Sequence, residues 1–193
     1  MKVTIGIVGP IRAGKETVGN ILAQQLGEKG FSVVYHRFSD VLRETESAWY
    51  LSPGRDSQQK IVLAMRQYFG NEVLSNVLEK RVLSAKEDVV ILDGLRWVDS
   101  DYPLLRRLPN NYLIYIDAPA EIRWQRTLSN NTQKPDEISA TFEYFIERDN
   151  MPNEKDIHLF KNKSDFVIDN SINGSDGLIS QVKKVLDDIN LPH

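Results

Sequence analysis

The stretch VTIGIVGPIRAGKET, Val3 to Thr17, decides how the rest of the chain is read. Val3 to Gly9 is short, apolar and β-branched, as expected of a strand buried on both faces. Gly9, four residues, Gly14 and Lys15 then follow the spacing of a phosphate-binding loop, which ordinarily continues with serine or threonine. Here Glu16 takes the hydroxyl position, and the threonine comes one residue late, at Thr17. The glycines let backbone N–H groups turn inward on phosphate oxygens at a helix N-terminus. Gly9, Arg12, Ala13, Gly14, Lys15, Glu16 and Thr17 are thus the expected phosphate cradle, with Lys15 reaching the outer phosphates. A glycine-rich strand-to-helix turn without a ligand is the bland alternative. The agreement of pattern with context speaks against it.

Composition sets the bounds. The 193 residues are 41% hydrophobic and 26% charged, enough for one domain, residues 1–193, with a real core. A net charge of −3 gives no general affinity for polyanions, so nucleic acid is not an expected partner and any basic site must be local. Cysteine is absent, which excludes disulfides and thiol catalysis and fits a reducing cytosol. His36, His158 and His193 do not fall at metal-ligand spacing. No apolar run approaches the roughly 18 residues of a membrane span. The N-terminus is read as entering a strand directly, so no cleaved leader is expected. A soluble, cytoplasmic protein is expected, with no membrane partner.

Outward from the loop, a helix is expected from about Lys15 to Lys29, with Val18, Ile21, Leu22 and Leu26 on one face. Phe31 to Phe38 reads as a second strand, and Ser39 or Asp40 as the cap of a helix running to about Tyr50. Pro53 and Gly54 mark a turn before helices at roughly Ser57 to Tyr68 and Glu72 to Ala85. Asp88 to Gly94, Asn111 to Pro119 and Ser164 to Asn170 are the third, fourth and fifth strands. Helices are expected at about Ala120 to Leu128 and Ala140 to Arg148, around a polar stretch, Asn130 to Glu137, read as a mobile loop. An amphipathic helix through Leu178, Val182, Val185 and Ile189 closes the chain. Apolar strands alternating with helices predict a three-layer α/β fold, a five-stranded parallel sheet with helices on both faces. Ligands of such sheets sit beyond the carboxyl ends of the strands.

The chemistry-bearing residues fall where strands end. Asp93, in LDGLR, can hold a Mg²⁺-bound water or accept a proton from the attacking group, or it can cap the next segment. Arg96 would face the same crevice and could grip a phosphate in bidentate fashion. Arg123 and Arg126 share a helix face at three-residue spacing, and Arg148 follows the polar loop. These three are either cations closing over a transferred group or members of local pairs with Glu121 and Glu147. Arg37 and Asp40 bracket the end of the second strand, and Arg55 and Arg66 precede and occupy a helix of the region of about residues 39–87, which could hold a second substrate or be plain helical structure. Trp49 and Trp124 read as packing residues, while Trp97 stands beside Arg96.

Together these residues resemble the P-loop nucleoside and nucleotide kinase superfamily. Gly9 to Thr17 matches its phosphate loop, LDGLR its third-strand arginine segment and IRWQR the start of its lid, here about residues 123–150. GKET, FSD, the Arg55–Gln59–Arg66 segment and DGLR are similar to phage-type deoxynucleoside monophosphate kinases. YFGNEVL and SDFVIDN are also similar to dephospho-coenzyme A kinases. The resemblance implies ATP as donor, Mg²⁺, and catalysis by Lys15, Asp93, Arg123, Arg126 and Arg148; Glu16 departs from the family's hydroxyl, but as a hard carboxylate ligand it could hold Mg²⁺ with Asp93, directly or through water. The resemblance places the acceptor, a phosphate-bearing small molecule, on Arg37, Asp40, Arg55, Arg66 and Arg96, in a monomer or homodimer. A nucleotide-dependent switch is the rival from another class.

Overall fold

The computed structural model describes residues 2–129, 141–171 and 174–191. Five strands, β1 (Val3–Val8), β2 (Val33–Arg37), β3 (Val89–Asp93), β4 (Asn111–Asp117) and β5 (Phe166–Asp169), form one parallel sheet in the order β2-β3-β1-β4-β5. Each parallel step needs a crossover, and helices supply it. They are α1 (Lys15–Glu28), α2 (Phe38–Ala48), α3 (Arg55–Phe69), α4 (Val73–Ser84), α5 (Asp101–Arg107), α6 (Ala120–Ser129), α7 (Phe142–Asp149) and α8 (Ser175–Asp188). This is the three-layer α/β arrangement that the strand pattern predicts.

Both faces of the sheet are covered, which is why the strands are almost wholly apolar. Val3, Ile5 and Ile7 pack with Val18, Leu22 and Leu26 of α1 and with Leu178, Val182 and Leu186 of α8. On the other face Val90, Leu92 and Leu113 meet Leu74 and Leu78 of α4 and Leu104 and Leu105 of α5. A Cβ on Gly6, in the middle of β1, would come within 2.7 Å of Leu105 Cδ2. The glycine is what lets α5 lie close on the sheet.

Three local expectations differ. α5 was not expected, because seven residues with Pro103 in the first turn show no helical stripe. The 3₁₀ helix Ile157–Lys163 was equally silent. α2 starts at Phe38, so neither Ser39 nor Asp40 is its N-cap. Asp40 sits in the first turn and accepts the Arg37 backbone N–H at 3.0 Å. The expected mobile loop, 130–137, lies outside the described residues. No helix among the described residues is long and apolar enough to cross a membrane.

Parallel register brings three strand ends together. Asp93 stands opposite Ile7 on one side and opposite Arg37 on the other, so the loop after β1, Asp93 and the start of α2 share one edge.

Candidate active site

The loop after β1 is bent as its glycines permit. Gly14 caps α1 in the left-handed region with φ 96°, and Arg12 is also left-handed at φ 62°. A Cβ on Gly9 would lie 2.6 Å from the Ile116 carbonyl oxygen, so the loop can hug β4 only with glycine there. Asn170, just past β5, donates from Nδ2 to the Ala13 carbonyl at 2.8 Å and ties the loop from behind. Lys15 is curled onto its own loop, donating to the carbonyls of Gly9 at 2.7 Å and Pro10 at 2.9 Å. Burial lowers its pKa to about 8, against the opposing pull of Asp93.

Asp93 is buried. Its Oδ2 accepts a hydrogen bond from Tyr35 Oη at 2.9 Å, while its Oδ1 is buried without a hydrogen-bond partner among the described residues. Burial and the neighbouring Asp93 raise the Tyr35 pKa, so the phenol remains a donor. An unpaired buried carboxylate oxygen beside a phosphate loop suits a hydrated Mg²⁺. Glu16, in the position of the usual hydroxyl, is exposed and accepts from Arg37 Nη2 at 2.6 Å. Among the described residues no three His, Cys, Asp or Glu gather as a metal cluster. Mg²⁺ is content with one or two carboxylates plus phosphate and water, so the donor set fits it.

Two cavities open here. One, about 760 Å³, lies over the loop and reaches Arg12, Thr17 and Arg126. The other, about 250 Å³, lies under α2 and α3 and is lined by Arg55, Gln59, Arg96 and Trp97 over a floor that includes Val62 and Leu74. They share one wall: Lys15, Arg37, Ser39, Arg43 and Asp93 line both.

The expected site residues divide on this geometry. Lys15, Glu16, Arg37, Asp93 and Arg126 line the larger cavity, and Arg55 and Arg96 the smaller. Arg126 also donates to the Asn170 carbonyl at 2.7 Å. Gly9, Ala13, Arg66, Asp40, Arg123 and Arg148 line neither. Arg66 forks onto Asp99 at 3.1 and 3.0 Å, donates to Ser100 Oγ at 2.9 Å and stacks 4.3 Å from the Trp97 ring centre. It braces the turn after β3. Asp40 pairs with Arg43. Arg123 is buried and grips Asp149 with two bonds of 2.8 and 2.7 Å, joining α6 to α7. Arg148 lies 5.8 Å from the Tyr144 ring centre.

Sequence reasoning missed Tyr35, Arg43, Asn153 and Glu154. Arg43 had a signal, three residues after Asp40 on the same helix face. Tyr35 read only as a strand aromatic, and Glu154 lies in an aperiodic stretch. Glu154 is buried, pairs with Arg96 and accepts from Asn153 Nδ2 at 3.1 Å. Asp101 Oδ2 accepts the backbone N–H groups of Arg96 and Trp97 at 2.8 and 3.0 Å and fixes that turn.

The family described as an AAA domain matches residues 5–151. The UPF0200 protein PAE1629 of Pyrobaculum aerophilum is 26% identical over 182 residues, covering 94% of this chain and 95% of that protein. A shikimate kinase from Bacteroides thetaiotaomicron superposes with a TM-score of 0.63 at 15% identity, covering 98% of this chain and 99% of the other. A shikimate kinase from Acinetobacter baumannii, in complex with shikimate, does so with a TM-score of 0.58 at 17% identity, covering 98% and 93%. At these identities the structural likeness bears on the fold alone.

Proposed function

The chain belongs to the family described as an AAA domain, and on that premise we propose that it is a kinase-type phosphotransferase. In this reading it moves the γ-phosphoryl group of ATP to a small phosphate-bearing acceptor, in the first place a (deoxy)nucleoside monophosphate. The observation that carries the reading is the wall shared by the two cavities. A donor in the larger cavity and an acceptor in the smaller would meet across Lys15, Arg37, Arg43 and Asp93, which is where charge develops during transfer.

The roles follow from position. The loop amides take the donor phosphates, and Lys15 exchanges the Gly9 and Pro10 carbonyls for phosphate oxygens. Arg126 and Arg12 flank the donor. Arg96, oriented by Glu154, and Arg55 receive the acceptor's phosphate. Asp93 Oδ1 and Glu16 would hold Mg²⁺, directly or through water, with Arg37 sharing the Glu16 carboxylate. When bound, the ion neutralises phosphate charge; the protein's part is to place donor and acceptor and to keep water out. Arg123 contributes by fixing α6 against the loop, and Arg148 from α7.

A second reading has one observation in its favour. The unpaired Asp93 Oδ1 could take a proton from an attacking hydroxyl, as a dephospho-coenzyme A kinase requires. The test is Arg96→Ala under steady-state kinetics. Losing one charge-assisted contact should raise the acceptor KM by about ten- to a hundred-fold with little effect on the KM for ATP. Equal effects on both substrates would remove Arg96 from the acceptor site.

A further inference from the structure

Asp93 can serve both cavities only if one of its oxygens is kept turned toward the phosphates. Among the described residues its one side-chain hydrogen bond comes from Tyr35: Oδ2 accepts from Tyr35 Oη at 2.9 Å, and Oδ1 is buried with no hydrogen-bond partner among them. Tyr35 and Arg37 are two apart on β2 and so point to the same side of the sheet. The ring of Tyr35 lies in a notch on α1. A Cβ on Gly19 would stand 2.4 Å from Tyr35 Cε2 and 2.5 Å from its hydroxyl oxygen, far inside contact distance. The Arg37 guanidinium sits 5.3 Å from the centre of the same ring, and Glu16 holds that guanidinium at 2.6 Å. Gly19 from α1, the ring from β2 and the Glu16–Arg37 pair therefore fix the phenol on several sides.

We propose that Tyr35 is a positioning residue for Asp93, and that Gly19 is glycine because the notch must admit the phenol. By binding Oδ2, Tyr35 restrains the carboxylate from rotating and would leave Oδ1 for a hydrated Mg²⁺ when nucleotide is bound. The proposal rests on the role given to Asp93 above. It also gives the glutamate of the loop a second consequence, since Glu16 holds Arg37 beside the Tyr35 ring.

The test uses a non-hydrolysable ATP analogue, titrated calorimetrically with and without Mg²⁺ against the wild type, Tyr35→Phe, Gly19→Ala and Asp93→Asn. Tyr35→Phe keeps the ring and its packing, and thermal melting checks that each variant is folded. Tyr35→Phe should leave metal-free affinity within about two-fold and cut the affinity gained from Mg²⁺ by about ten-fold, the worth of one hydrogen bond to a charged group. Gly19→Ala removes no polar group, yet should reproduce the loss by displacing the ring. Asp93→Asn separates the two layers. If it lowers the Mg²⁺-dependent gain and Tyr35→Phe does not, the positioning role is overturned while the Asp93 role stands. If Asp93→Asn itself changes nothing, the Asp93 role fails and Tyr35 falls with it. A Gly19→Ala variant that titrates like the wild type would overturn the notch argument.

Discussion

Arg123 was expected at the transfer step and is instead buried, which makes Arg123→Ala an informative substitution. Its guanidinium donates to Asp149 at 2.8 and 2.7 Å, to the Ala118 carbonyl at 3.0 Å and to the Ile11 carbonyl in the phosphate loop at 3.1 Å. Truncation would strand a carboxylate and two carbonyls at once. Removing one partner of a buried ion pair costs about 3–5 kcal/mol. The Asp149 side chain is 20% exposed and water will partly rescue it, so about 2–4 kcal/mol is the expected loss. For a chain of this size that is roughly 4–16 °C in Tm, at about 2–4 °C per kcal/mol. Urea unfolding followed by circular dichroism would measure it, with a lower midpoint at an unchanged slope. Arg123→Lys keeps the charge but not the fork, and should lose less. A variant that unfolds like the wild type while losing turnover would refute the bracing role and return Arg123 to the transfer step.

Two further outcomes follow from the same geometry. Burial holds Lys15 at a pKa of about 8, whereas phosphate bound to it would raise that value; nucleotide affinity should therefore fall as pH rises through 8, with a proton taken up on binding. Calorimetry above that pH in two buffers of different ionisation enthalpy checks this, and zero proton uptake would contradict it. Glu16→Ala removes an exposed pair with Arg37 and should cost only about 0–1 kcal/mol of stability. If Glu16 also holds Mg²⁺, the same variant needs more of the ion for half-maximal rate while Glu16→Ser stays substantially active; superimposable Mg²⁺ curves would end the metal role.

Much of the fold was legible because its signals are local. Strands buried on both faces are nearly continuous apolar runs, and the loop glycines mark a turn only they can make. α5 was not legible, because its place depends on Gly6 making room for Leu105, a contact between distant residues. What could be read of the candidate site is which residues adjoin strand ends: Lys15, Asp93 and Arg96 do, and all three line its cavities. Arginines further along could not be sorted. In sequence Arg66 and Arg123 are open to ligand and structural readings alike, because Asp99 and Asp149, which they grip, lie far along the chain. Glu154 and Tyr35 matter through what they touch, which no periodicity carries.

Phosphoryl transfer itself is tested by following the label of γ-³²P-labelled ATP with Mg²⁺ over a panel of nucleoside monophosphates and dephospho-coenzyme A, for the wild type and Lys15→Ala. A kinase of this kind puts label in a phosphorylated small acceptor with the wild type, and none with a folded Lys15→Ala. Release of label only as inorganic phosphate, at the same rate with and without every acceptor, would contradict it.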